Sequence, residues 1–106
     1  MTTTPSRQPP VMRDALYIAI ASSFEVISGL STAKTFQVIP VGAHYAWVQA
    51  EGQNVRFRTD AGVPTSTVGS ILYKGDYIWF DIAGLSNIKF IETAASASLN
   101  VHYFKG

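Results

Sequence analysis

A chain of 106 residues has the size of one domain, and its charged fraction of 14% is well below the roughly 25% usual for soluble domains. A net charge of +1 gives no basic face for nucleic acid, and the absence of cysteine excludes disulfides and thiolate metal sites. The low charge has two interpretations, a solvent face rich in Ser and Thr or a surface covered by neighbouring subunits.

Residues 1–13 are predicted to form a flexible, Pro/Thr-rich N-terminal arm. They hold too few apolar side chains to offset the entropy of ordering, and their prolines favour an extended backbone. The arm is interpreted either as a leader without a role or as a segment that lies on a neighbouring molecule. For the second case we single out Pro5, Arg7, Pro9 and Pro10 as partner-binding residues.

This N terminus also lacks the basic start and continuous apolar run of a secretory signal. The apolar stretch 15–21 is too short to span a bilayer. We therefore expect a protein that is made in the cytoplasm and has neither a membrane nor a nucleic acid as a partner.

Residues 14–106 predict a single all-β domain, because short runs of strand-forming residues alternate with turn residues. The predicted strands are 15–21, 24–28, 34–39, 44–50, 54–58, 68–73, 77–82, 88–92 and 97–104, and the alanines of 15–21 leave a helix as the alternative for that segment. So many strands in so short a chain predict a small antiparallel β-sandwich of jelly-roll-like form. The short connection 51–53 predicts a hairpin into the strand at 54–58, and 74–76 predicts a second hairpin.

Side-chain alternation assigns faces to these strands. Val55 and Phe57 point to one side of their strand, whereas Arg56 and Arg58 point to the other. The same reasoning predicts four core residues on four different strands: Phe57, Phe80, Phe90 and Val101. Arg56 and Arg58 are then either solvated side chains on the outer side of the strand or residues that bind a partner.

No arrangement of residues predicts catalysis, a metal or a cofactor. The two histidines, His44 and His102, lie in alternating strands without neighbouring ligand residues, which favours surface or interface positions. The carboxylates are scattered, no Gly-x-Ser-x-Gly sequence is present, and the glycines are placed as turn residues. We therefore expect a protein that is not an enzyme.

Aromatic residues are the remaining candidates for binding. The set consists of Tyr45, Trp47, Tyr73, Tyr77, Trp79 and Tyr103. On one face of a sheet, such rings would form a platform on which sugars stack; alternatively Trp47 and Trp79 belong to the core or to a protein interface. Both tryptophans are taken as candidate partner-binding residues.

Residues 24–104 resemble a group of small virion proteins of tailed bacteriophages. The segments that carry the resemblance are Phe24–Ile27, Tyr45–Ala50, Val55–Asp60, Pro64–Thr65, Ile88–Ile91 and Ala97–Tyr103. In that group an aromatic strand precedes a V-R-F-R-like strand with a D-G-like turn, and a strand of the L-N-V-x-Y kind closes the domain. The turn here, Asp60-Ala61-Gly62, is one residue longer than a simple D-G turn.

The resemblance implies a structural component of the virion that decorates or cements the head shell or sits at the neck or tail, and the first choice among these is a capsid cement or decoration protein that stabilises the head. The implied partners are further copies of the chain, as a homo-oligomer, and the major capsid protein or another virion protein. The implied location is the virion, after synthesis in the host cytoplasm. The alternative is a carbohydrate-binding or host-recognition module that uses surface aromatics and takes a glycan as its partner.

Overall fold

The computed structural model describes residues 18–81 and 84–105. Within them, eight strands and one short 3-10 helix, Leu85–Asn87, follow one another along the chain. The strands are β1 (Ile18–Ala19), β2 (Glu25–Ile27), β3 (Tyr45–Glu51), β4 (Val55–Arg58), β5 (Ser70–Leu72), β6 (Tyr77–Phe80), β7 (Lys89–Glu92) and β8 (Ser98–Lys105).

The strands form two antiparallel sheets. The large sheet has the order β1-β8-β3-β6, with β2 also paired to β8, and the small sheet has the order β5-β4-β7. Every strand pair is antiparallel. The prediction of an all-β domain with antiparallel strands is therefore confirmed.

The hydrophobic core is built from the alternating residues of both sheets. On β3, Ala46, Val48 and Ala50 are fully buried, while the residues between them are only half-buried. The Phe80 ring of the large sheet contacts Phe57 and Phe90 of the small sheet at centroid distances of 5.4 and 6.0 Å. The predicted core residues Phe57, Phe80, Phe90 and Val101 are all buried, which confirms the assignment of faces.

The two predicted hairpins are wrong. β3 pairs with β6 and β8, whereas β4 pairs with β5 and β7, so the turn at Gly52 carries the chain from one sheet to the other. Gly52 has a positive φ of 85°, and a Cβ at this position would overlap the Ser96 carbonyl oxygen. The turn at Gly75 likewise leads from β5 in the small sheet to β6 in the large one. Turn residues signal a change of chain direction, but burial of both inner faces decides which sheet receives the next strand.

The strand predicted over residues 34–39 is reduced to a single bridge. Lys34 exchanges two backbone hydrogen bonds with Phe90, at 2.8 and 2.7 Å. Phe36 is buried beyond it, but Val38 is 67% exposed, so the predicted common face of these two residues is wrong. The amides of Gln37 and Val38 donate to the Glu25 carboxylate at 3.2 Å, and this side-chain acceptor takes the place of a neighbouring strand.

Candidate binding surface

The outer face of the large sheet carries a row of aromatic side chains. On β3, Trp47 lies directly opposite Trp79 of β6 on one side and His102 of β8 on the other. Side chains alternate along each strand, and the residues on either side of Trp47 are fully buried in the core. The three rings therefore project away from the core, side by side across three strands.

Further rings extend this row. Trp47 stacks on Tyr77 with a centroid distance of 5.3 Å and an angle of 28°, and it meets His102 edge-on at 5.2 Å. Trp79 contacts Phe104 at 5.0 Å, and Phe24 contacts His102 at 4.8 Å. These spacings lie within the range of favourable ring pairs. We call the set the aromatic face; its members are Phe24, Trp47, Tyr77, Trp79, His102 and Phe104.

A hollow of about 240 Å³ lies within the aromatic face and is lined by Trp47, Trp79, His102 and Phe104. The first two are half-buried, His102 is exposed and Phe104 is buried. We call this feature the aromatic hollow. Its walls are ring faces and edges, so it suits a flat or rigid apolar group.

Polar side chains border the aromatic face at one end. The Asn100 side-chain amide donates to Gln49 Oε1 at 3.4 Å and to Glu51 Oε1 at 3.1 Å, and Gln49 Nε2 donates to the Gly75 carbonyl at 3.4 Å. The amides are thus held in place by hydrogen bonds before any ligand arrives. The face combines an apolar centre with an oriented polar margin that includes one carboxylate.

The two arginines singled out from the sequence lie elsewhere, on the outer side of β4 in the small sheet. Arg56 donates to the carbonyl oxygens of Ser66 and Gly69 at 3.2 and 2.8 Å. Arg58 makes a bidentate ion pair with Asp60, at 3.0 and 2.6 Å. Both side chains therefore tie β4 to the loop that follows it. Their role in binding a partner stays a prediction, on a surface separate from the tryptophans.

The ion pair has an electrostatic consequence. The hydrogen bond from Arg58 and that from the Gly62 amide, which donates to the same carboxylate at 3.1 Å, together lower the pKa of Asp60 from 3.8 to about 2, and Arg58 has the larger effect. A carboxylate that accepts from both a guanidinium and a backbone amide favours its ionised form. This arrangement fixes the loop and leaves Asp60 no evident part in proton transfer near neutral pH.

A second polar contact lies at the edge of the core. The Tyr103 hydroxyl donates to the carboxylate of Glu25, the same group that accepts the amides of residues 37 and 38. Burial raises the pKa of Tyr103 well above its ordinary value of 10, and the hydrogen bond and charge of Glu25 raise it further. The tyrosine is therefore a protonated donor that anchors the loop, and it does not belong to the aromatic face.

The sequence found part of this surface. Trp47, Tyr77 and Trp79 come together as the platform prediction required, whereas Tyr103 is core and Tyr73 lies in the β5–β6 connection. Phe24 and Phe104 were not among the predicted aromatics. Alternation along β8 does place residues 102 and 104 on one face, but the strand register that brings them to the tryptophans is not encoded locally. Pro5, Arg7, Pro9 and Pro10 lie outside the described residues.

Within residues 18–81 and 84–105, no three His, Asp or Glu side chains are grouped so that they could hold a metal ion. Over the same ranges, none of the helical structure is long and apolar enough to cross a membrane. No protein-family model, curated protein or solved structure matches this chain.

Proposed function

We propose that the protein is a structural subunit of a tailed-phage virion, a capsid cement or decoration protein that binds its partners through the aromatic face. The observation that carries the proposal is the aromatic row on the outside of the large sheet. Tryptophan, tyrosine and phenylalanine are enriched at the centres of protein interfaces, where they supply most of the binding energy.

The sparse charge of the chain supports the same proposal. Charged side chains make up 14% of the residues, and β3 and β6 together contain a single one, Glu51 at the end of β3. Interface centres are depleted in charge in this way, because a charge loses its hydration when a partner covers it. The resemblance of residues 24–104 to small virion proteins is the reason for placing the protein in a phage virion. Its partners there would be further copies of this chain and the major capsid protein or another virion protein.

We also propose that the two sheets form a jelly-roll-like β-sandwich with an N-terminal arm at residues 1–13. The ring contacts of Phe80 with Phe57 and Phe90 support packing of one sheet on the other. The chain changes sheet after β3, β5, β6 and β7. Adding the Lys34 bridge beside β7 gives four positions across each sheet, with β1 and β2 sharing the position beside β8; the orders are β2-β8-β3-β6 and Lys34-β7-β4-β5. Two interlocked Greek keys produce such an order.

A specific observation favours the alternative of glycan binding. The aromatic face ends in amide and carboxylate groups that are already oriented, Gln49, Glu51 and Asn100. Stacking rings beside fixed hydrogen-bonding groups form a binding site for small polar molecules of low charge. Under this alternative the same rings hold a sugar instead of a protein.

The decisive experiment compares Trp47→Ala and Trp79→Ala with the wild type in co-sedimentation with heads of the phage that carries this gene. Tyr73→Ala is the matched control, because Tyr73 is 56% exposed and lies outside the aromatic face. We expect both tryptophan variants to lose head binding while the control keeps it, with circular dichroism confirming that all three fold. Equal binding by all variants contradicts the proposal, and retention on a glycan array that depends on the tryptophans selects the alternative.

A further inference from the structure

The chain carries both a proline-rich segment and a hollow lined by aromatic rings. Residues 5–10 read Pro-Ser-Arg-Gln-Pro-Pro and contain three of the five prolines of the sequence. Prolines hold a segment close to the polyproline II conformation, so little further conformational entropy is lost on binding. Aromatic-lined grooves recognise such segments for this reason.

The dimensions of the two parts agree. Trp79 and His102 flank Trp47 on either side in the sheet. Adjacent strands lie about 4.8 Å apart, so the row from Trp79 to His102 spans about 10 Å. One turn of polyproline II has three residues and a length of about 9 Å. One turn of a segment lying across the strands therefore reaches from the outer ring of Trp79 to that of His102, with Trp47 between them.

The charges are also complementary. Residues 1–13 contain Arg7 and Arg13 and no acidic residue. Carboxylates border the aromatic face on two sides: Glu51 closes β3, and Asp81, two residues after Trp79, is exposed next to β6. Opposite charges at the margin of an apolar site steer the approach of a ligand and fix its orientation.

The direction of the chain at β1 indicates which molecule supplies the segment. Ile18 lies opposite Lys105 and Ala19 opposite Phe104, in antiparallel pairing with β8. From Ala19 to Ile18 the strand runs toward Lys105 and away from His102. A segment that continued in this direction would lead away from His102, and we take a second copy as the molecule that it reaches.

We propose that the aromatic hollow binds residues 5–10 of a second copy of this chain. This inference rests on the proposed function, because it names one of the contacts through which copies would associate. Mutual exchange of segments gives a closed pair in which both hollows are filled, since each copy offers the same two surfaces. Each contact then strengthens the other through its effective concentration.

The test uses intrinsic fluorescence of the full-length protein. Both tryptophans of the chain line the hollow, so their emission reports directly on its occupation. The test variant replaces Pro5, Pro9 and Pro10 together by alanine, and the matched control replaces Thr2, Thr3 and Thr4. We expect red-shifted emission in the proline variant only. A synthetic peptide of residues 1–13 should reverse the shift saturably, and the same peptide with alanine at the three proline positions should not.

Sedimentation velocity over a range of concentrations identifies the occupant. We expect the wild type and the threonine control to associate. The dissociation constant of the proline variant should be at least about tenfold higher than theirs. If the peptide binds but the wild type stays monomeric with emission independent of concentration, the segment occupies its own hollow and the second-copy proposal is overturned. If the peptide leaves the emission unchanged, or if the proline variant associates like the wild type, the pairing of segment and hollow is overturned. Neither experiment uses phage heads, so failure of the proposed contact between segment and hollow is distinguishable from failure of the proposed function.

Discussion

Replacing Phe80 by alanine removes the ring that joins the two sheets. Phe80 is 5% exposed, and its ring contacts Phe57, Phe90 and Phe36, with the last centroid at 6.3 Å. Truncating a buried phenylalanine costs about 3–5 kcal/mol through lost burial and the cavity that remains. The edge-to-face geometry of its contacts favours the upper part of that range, because such pairs contribute about 0.5–1.5 kcal/mol beyond the burial of area. This loss is a large share of the roughly 5–15 kcal/mol that stabilises a typical domain.

Far-ultraviolet circular dichroism measures this loss, as a free energy of unfolding in urea denaturation and as a melting temperature in thermal denaturation. In a domain of this size each kcal/mol lowers the melting temperature by about 4–8 °C, so we expect Phe80→Ala to lower it by at least about 12 °C. Tyr73→Ala serves as the control, because it truncates an exposed ring and should change the free energy of unfolding by no more than about 0.5 kcal/mol. A loss below about 1 kcal/mol for Phe80→Ala, the level of an ordinary surface substitution, would refute the packing of the two sheets on this residue.

Three further predictions address single groups. The raised pKa of Tyr103 means that its protonated form stabilises the folded protein, fully below pH 10 and less as the pH rises further. Tyr103→Phe should therefore make the alkaline fall in melting temperature less steep. An unchanged dependence of melting temperature on pH contradicts this prediction. By NMR the pKa of Asp60 should be about 2, and it should return toward 3.8 in Arg58→Gln. Because this pKa is lowered in the folded state, ionised Asp60 stabilises the folded protein above the unfolded pKa, and this stabilisation is lost as the pH falls from about 4 toward 2. Gly52→Ala should destabilise the protein more than Gly75→Ala in urea denaturation. Both positions have a positive φ, which costs alanine about 1–2 kcal/mol. At Gly52 the Cβ also overlaps the Ser96 carbonyl oxygen, whereas at Gly75 it meets nothing within 4 Å. Equal losses would mean that the clash at Gly52 relaxes freely.

Much of the core could be predicted from the sequence, because alternation is a local property. Val55 and Phe57 point inward and Arg56 and Arg58 outward, as period-two spacing requires. Which strands pair is a global property, and the Gly52 turn shows the difference. The turn was recognised, yet the following strand joins the other sheet, because the apolar sides of β3 and β4 are buried across the core rather than side by side.

The candidate surface was predictable to the same extent. Trp47 and Trp79 could be assigned to an outer face, since their chain neighbours are core residues. The sequence could not show that His102 and Phe104 complete the hollow, since strand register follows from packing of the whole sheet. Arg56 and Arg58 illustrate the opposite case, in which residues that look exposed in a strand pattern are engaged with the adjacent loop.

The position of β8 in the large sheet determines when that sheet can form during synthesis. β8 pairs with β1 and β2 on one side and with β3 on the other, so it joins segments from the beginning and the middle of the chain. The large sheet cannot close until residues 98–105 have left the ribosome, and until then the inner face of β3 has no partner strand from β8. Sheets closed by such distant segments fold on the order of milliseconds to seconds, because the chain must first close long loops. A nascent chain of this protein is therefore exposed to aggregation until β8 is made.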